Sequence, residues 1–143
     1  MITIANREVA FVALFTTLQG ISAFKVCTRR LKHWQDVLPE DQPALYMQHD
    51  GEVRQPVRGL PDRIVLEVNL WIYLNTNAEP VGPQLSPLLD AVDAALAPAN
   101  NGDRTQTLGG IVHHVWIEGQ TQIYEGNLGN EAVAIVPIKL LVT

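Results

Sequence analysis

The sequence predicts an α+β fold: a mostly antiparallel sheet with two main helices packed on one face and a long hairpin arm. Two observations indicate the strands, because apolar residues occupy every second position along 64–74 and again along 132–142. A third indicates a helix, because apolar residues along 85–96 recur at intervals of three and four. Helices that do not alternate strictly with strands are typical of the α+β class.

The first helix is predicted over residues 6–19, a stretch without glycine or proline that is followed by Gly20. Asn6 is the expected N-cap, because its side-chain oxygen can accept a bond from an early helical N–H. A broad apolar stripe predicts that a wide face of this helix is buried. The stripe consists of Val9, Phe11, Val12, Leu14, Phe15 and Leu18.

Strands are expected next, a short one in "FKVCTRRL" and another at about 44–49. The polar stretch "DGEVRQPVRGLPD" is either a loop or the tip of a long hairpin. In "RIVLEVNLWIYLN" the even-numbered positions form an unbroken apolar face, which is expected to be core. This strand is longer than usual, which favours a projecting hairpin arm. The opposite face carries Trp71 and Tyr73, which are unusual on a surface that meets only water.

The second helix is predicted to begin after a Ser86 cap, with Pro87 in its first turn, and to end before Pro98. A polar, mobile loop is expected over 97–107. Residues 110–119 alternate as a strand, "EGQT" forms a tight turn and "QIYEGN" returns as its partner. After a turn at "LGN", the chain closes on a strand that contains Pro137. Because proline cannot donate to a sheet ladder, that strand is expected at the sheet edge or at a bulge.

Length and composition favour one domain spanning 1–143, with 47% hydrophobic residues to build a core. No uninterrupted apolar run reaches about 18 residues, so no membrane partner is expected. The N-terminus lacks the basic region of a signal peptide, which favours synthesis as a cytoplasmic protein. The net charge of −5 argues against sequence-specific nucleic-acid binding. The basic stretch "CTRRLKHW" is expected to be a solvated strand end.

No residue pattern predicts catalysis, a metal site or a cofactor. His113 and His114 would point to opposite faces of a strand and therefore could not chelate together. Cys27 is the only cysteine, and within a strand it is expected to be a small buried apolar group. Asp90 and Asp93 fall on the polar side of the second helix, where solvated acids are expected.

Aromatic residues are the features of the sequence that indicate a function. Aromatic residues are enriched in interface cores, so residues on a sheet face that two helices leave uncovered are interface candidates. The alternative is that both sheet faces are covered within one chain. The interface candidates are Trp34, Arg54, Arg58, Trp71, Tyr73, Trp116 and Pro137.

The order of the segments carries a resemblance. An N-terminal helix is followed by "LPEDQPALYMQHD", the long strand "RIVLEVNLWIYL", the helix "LSPLLDAVDAAL", then "TLGGIVHHVWIEG" and "EAVAIVPIKLLV". From about residue 6 to 142 this order resembles that of the tail-terminator, or tail-completion, proteins of long-tailed bacteriophages and prophages. The individual motifs are short and structural, so their order and spacing carry the resemblance.

The resemblance implies a non-enzymatic virion protein without cofactors. Such proteins assemble in the host cytoplasm as a homo-oligomeric ring, a hexamer, at the head-proximal end of the tail. The ring caps the tail-tube protein, ends tube polymerisation and gives the head–tail connector protein its docking surface. An acidic balance suits a ring whose channel passes DNA without holding it. Two other functions remain open: a small sheet-based binding or adaptor module, and an enzyme that uses His113 or His114.

Overall fold

The computed structural model describes residues 6–98 and 102–142, without the side chains of 126–128. The helices are α1 (Arg7–Gln19) and α2 (Gly82–Ala95). The strands are β1 (Val26–Thr28), β2 (Ala44–Val57), β3 (Leu60–Asn75), β4 (His114–Ile117), β5 (Gln122–Leu128) and β6 (Glu131–Leu141). The sheet order is β1-β2-β3-β6-β4, with β5 also paired to β6. Only β1 and β2 run parallel, which confirms the predicted α+β class.

Both helices pack on one face of the sheet, here called the inner face. The even-numbered residues of β3 from Ile64 to Leu74 are all buried there, as the alternation predicted. The even-numbered residues of β6 are buried beside them, together with Leu45 and Met47 of β2. The helices complete this core with Ala10, Phe11, Leu14, Leu18, Leu85, Leu88 and Val92. Neither described helix combines the length and the apolar character that a membrane span requires.

The helix α1 begins as predicted, because the Asn6 side chain accepts a bond from the N–H of Glu8 (2.9 Å). The prediction of a wide buried face is wrong: Val9 and Val12 are 49% and 47% exposed. Only the narrower stripe that meets the sheet is covered. Ion pairs from Arg7 to Glu52 and from Arg29 to Glu8, both 2.7 Å, hold the start of α1 on the sheet.

The polar stretch after residue 49 is the tip of a long hairpin and not a separate loop. The strand β2 does not end at 49 but continues to Val57, and β3 begins at Leu60 after a turn at Gly59, whose φ is +78°. Pro56 is accommodated because it lies at a register shift between β2 and β3, where a ladder bond is already missing.

The helix α2 begins a full turn earlier than predicted. Its first residue is Gly82, so Pro83 occupies the first turn while Pro87 lies inside the helix, and Ser86 is not the cap. The side-chain amide of Gln84 holds this start by donating to the carbonyls of Thr76 and Pro80, both at 3.1 Å. Asp90 and Asp93 are exposed, as predicted.

The strands β4 and β5 do not form the predicted hairpin. Both pair instead with the same side of β6, β4 opposite 138–141 and β5 opposite 131–135. The strand β4 is also shorter than predicted, because Gly109 and Gly110 have φ values of +75° and +89° and form a turn there. The preceding polar loop, predicted over 97–107, includes residues 99–101, which lie outside the described part of the chain.

Pro137 does not lie in an edge strand, which corrects the expectation. The strand β6 lies between β3 on one side and β4 and β5 on the other. The carbonyl of Pro137 accepts a bond from the N–H of Glu118 (3.3 Å). Because the N–H and C=O of one antiparallel residue point to the same neighbour, the proline nitrogen faces the gap between β4 and β5. No ladder bond is required there, so proline is tolerated in an interior strand.

Candidate assembly surfaces

The face opposite the helices, here called the outer face, is covered at one end by the chain itself. The segment 31–43 crosses it through two short 3-10 helices, Trp34–Asp36 and Pro39–Asp41. Beneath this segment Tyr73 is only 3% exposed and donates its hydroxyl to the carbonyl of Lys32 (2.6 Å). Burial raises the pKa of Tyr73 to about 12. At this end both faces of the sheet are covered within one chain. The sequence had left open whether this face would be covered or would be an interface.

An open groove remains beside the covering segment, with a volume of about 480 Å³. We call it the aromatic groove, and it is mostly apolar. It brings together three of the predicted aromatic residues, Trp34, Trp71 and Tyr73. Its full lining is Leu31, Lys32, His33, Trp34, Trp71, Tyr73, Tyr124 and Val133.

Trp71 is fixed in this groove by its polar edge. Its indole N–H donates to the side-chain oxygen of Gln48 (2.7 Å). Gln48 lies diagonally across on β2, two residues from Tyr46, the direct partner of Trp71. The ring centroid lies 6.4 Å from that of Tyr73. Trp71 is half-buried, so one side of a large apolar ring is held in a fixed position and stays accessible.

Tyr124 belongs to the groove and was not singled out from the sequence. It is 43% exposed and lies opposite Val133 in the β5–β6 hairpin. The available signal was the turn at "LGN": counting outward from it places Tyr124 on the face that carries Val133. The sequence of β5 contained no other signal that would have identified Tyr124 as a groove residue.

Trp116 is not part of the aromatic groove. Its ring stacks on His114 with a centroid distance of 5.2 Å, near the end of β4. It lines a second, smaller cavity of about 240 Å³ at the base of the hairpin. We call this cavity the arm-base patch, and it is lined by Val53, Gln55, Arg63, Val65, Trp116 and Leu141.

A polar band separates the two outer-face surfaces. Lys139 of β6 and Glu67 of β3 form an ion pair across the strands (3.1 Å). Asn69 and Pro137 form the next cross-strand pair towards the groove. The predicted aromatic residues therefore lie on two distinct surfaces and do not form one continuous patch.

The hairpin projects as an arm. The last partner that β6 offers to β3 is Leu141, opposite Val65, so residues 54–63 continue as a two-stranded ribbon. Arg54 of the arm pairs with Asp62 (3.0 Å), while Arg58 at the turn is exposed. Leu60 is 67% exposed, more than any other large hydrophobic residue in the described part of the chain.

Two potentially reactive side chains, Cys27 and His49, have structural environments. Burial raises the pKa of Cys27 to about 11, so its thiol is protonated and weakly nucleophilic at neutral pH. Burial lowers the pKa of His49, whose ring stacks on Phe11 at 3.9 Å and helps to dock α1. Across 6–98 and 102–142 no group of three or more His, Cys, Asp and Glu side chains is arranged to hold a metal ion.

Comparisons with known proteins show a likeness among solved structures. No protein-family model matches the chain. No curated protein matches it either. Among solved structures, the chain is similar to a chain of the virion of a native gene transfer agent (GTA) particle, with a TM-score of 0.58 and 12% identity. The match covers 96% of this chain and 98% of that one, so the two share a fold over nearly their whole lengths.

Proposed function

We propose that this chain is a structural virion protein that forms a ring on the end of a phage tail tube. The proposal is that the ring, a hexamer, ends tube polymerisation and provides the docking surface for the head connector. The observation that carries it is the fold shared with a chain of a GTA virion over 96% of the present chain. The resemblance in segment order to tail-terminator proteins supports the finer role.

The geometry of the outer face also supports a ring. In a cyclic assembly each interface joins two different patches, so every subunit needs two distinct contact surfaces. This chain has an aromatic groove at one end of β3 and a projecting arm at the other. A protein that acts as a monomer has no evident use for both.

A tube-capping experiment tests the proposed role. Purified chain is added to tail-tube protein from the same genome while the tube protein polymerises, and tube lengths are measured by electron microscopy. Capping predicts shorter tubes with ring density at one end, and rings of uniform mass. Tubes of unchanged length and unchanged ends would contradict the proposal. Heat-unfolded chain at the same concentration is the control.

A small binding or adaptor module is the second candidate function. The observation that favours it is the groove itself, because about 480 Å³ lies within the range of small-ligand sites, roughly 300–1,000 Å³. The two candidates differ in oligomeric state. A chain that remains monomeric in the presence of tail tubes, but whose groove tryptophan fluorescence responds to a small ligand, would favour the module.

A further inference from the structure

The arm and the aromatic groove lie at opposite ends of β3. We infer that the arm of one copy binds in the aromatic groove of the next, with Leu60 entering the groove and Arg58 and Arg63 facing acidic side chains beside it. This inference rests on the proposed function, because it names the two surfaces that join neighbouring subunits of the ring.

The contact must be between copies. Leu60 and Trp71 are eleven residues apart on the same strand, which is about 36 Å at 3.3 Å per residue. The arm therefore points away from its own groove. A head-to-tail contact of this kind joins unlike patches and closes into a ring when the rotation between subunits permits it.

Apolar surface supports the pairing. Leu60 is 67% exposed on a two-stranded ribbon, and Val53 at the base of the same ribbon is 53% exposed. The groove presents Trp34, Trp71 and the 43% exposed Tyr124. An aliphatic side chain on a projecting turn and an aromatic groove are the two halves of a typical interface anchor, and burying both removes apolar surface from water.

Charge favours the same orientation. The arm carries three arginines against one acid, and only Arg54 has an acidic partner, Asp62, within the described chain. The stretch 34–41 beside the groove contains three acids and no lysine or arginine. These acids are Asp36, Glu40 and Asp41, and none forms an ion pair with another described residue. Lys32 on the groove rim reduces this negative balance without reversing it.

Charge reversal on the arm tests the inference. The double variant Arg58→Glu, Arg63→Glu should raise the protein concentration needed for ring formation on tail tubes about tenfold or more, because like charges would then face each other. Its thermal stability should be unchanged, since both side chains are exposed. Arg104→Glu, an exposed reversal outside the arm, is the matched control and should assemble as the wild type does.

Rescue makes the test specific. Adding Asp36→Arg and Glu40→Arg to the arm variant restores opposite charges across the contact and should restore assembly. If the arm variant assembles normally, or if the compensating reversals rescue nothing, the inference is wrong while the proposed ring survives. If the wild-type chain forms no ring on tubes at all, both the inference and the proposed function fail.

A disulfide experiment reads the contact directly. In a Cys27→Ala background, Leu60→Cys and Tyr124→Cys are made as separate proteins, mixed on tail tubes and oxidised. The inference predicts a cross-linked dimer in the mixture and none in either protein alone. Equal cross-linking of Leu60→Cys with itself would overturn it, because that outcome indicates arms that meet each other.

Discussion

At the residue scale, Glu131 at the start of β6 is an unusual carboxyl group. Its Oε2 atom and the Oε1 atom of Gln42 are buried, and neither has a hydrogen-bond partner in the described part of the chain. Burial raises the pKa of Glu131, and the Gln42 side chain opposes that shift only in part. A neutral carboxyl group also supplies a donor that the carboxylate lacks. The folded state therefore favours the protonated form.

The raised pKa of Glu131 predicts the direction of a pH effect. The stabilisation of the folded state by protonated Glu131 is complete at pH values below the ordinary pKa of 4.5. It is lost as pH rises through the higher pKa of the folded state. Glu131→Gln keeps the shape of the neutral acid without an ionisable proton. Its stability relative to the wild type, measured by urea unfolding, should therefore increase between about pH 4 and pH 7. A difference that is the same at both pH values would contradict this assignment.

Neighbouring aromatic residues on one strand face have different environments, and the sequence alone could not separate them. Trp71 and Tyr73 share the outer face of β3, as their spacing predicted. Tyr73 is buried because the segment 31–43 folds over it, whereas Trp71 borders the open groove. That covering segment is irregular and lacks periodicity, so its position is a tertiary effect that alternation does not encode.

At the element scale, β3 has a buried inner face and a mostly half-buried outer face. Leu70 is fully buried on the inner face, so Leu70→Ala should lower the free energy of unfolding by about 2–5 kcal/mol. Trp71→Ala, on the half-buried outer face, should destabilise the monomer less while impairing ring formation more. Denaturant unfolding and assembly on tubes measure the two effects separately.

The matched control for Trp71 is Trp71→Phe, which retains an aromatic ring and loses the bond from the indole N–H to Gln48. Assembly that survives in Trp71→Phe but not in Trp71→Ala assigns the effect to the apolar ring. A monomer that unfolds as readily in Trp71→Ala as in Leu70→Ala would instead make Trp71 a core residue.

Strand pairing around β6 marks the limit of what the sequence predicts. The inner faces of β3 and β6 follow from period-two alternation, because each strand has one wholly apolar side. The pairing of β4 and β5 does not, because a short turn between two strands normally forms a hairpin. Here the two strands follow one another along the same side of β6. Pro137 was the signal, since it removes a donor opposite the point where β4 and β5 are interrupted.

At the scale of the whole molecule, the outer-face surfaces are separated along the strands. The aromatic groove lies near the C-terminal end of β3, and the arm lies at its N-terminal end, with the Glu67–Lys139 pair between them. Long-strand alternation predicted the arm and placed Trp71 and Tyr73 on one face, but with Trp34 only three of the eight groove residues were among the sequence candidates. Their separation into two surfaces could not be predicted, because it depends on the sheet order and on the covering segment.

Electron microscopy of particles made without this chain tests whether the chain ends tail growth as a ring. The gene is deleted from the genome that encodes the chain, and the released particles are imaged with and without the chain supplied in trans. If the chain ends tail growth, the deletion gives overlong tails that lack heads, and complementation restores normal particles. Particles with heads and tails of normal length in the deletion would contradict it.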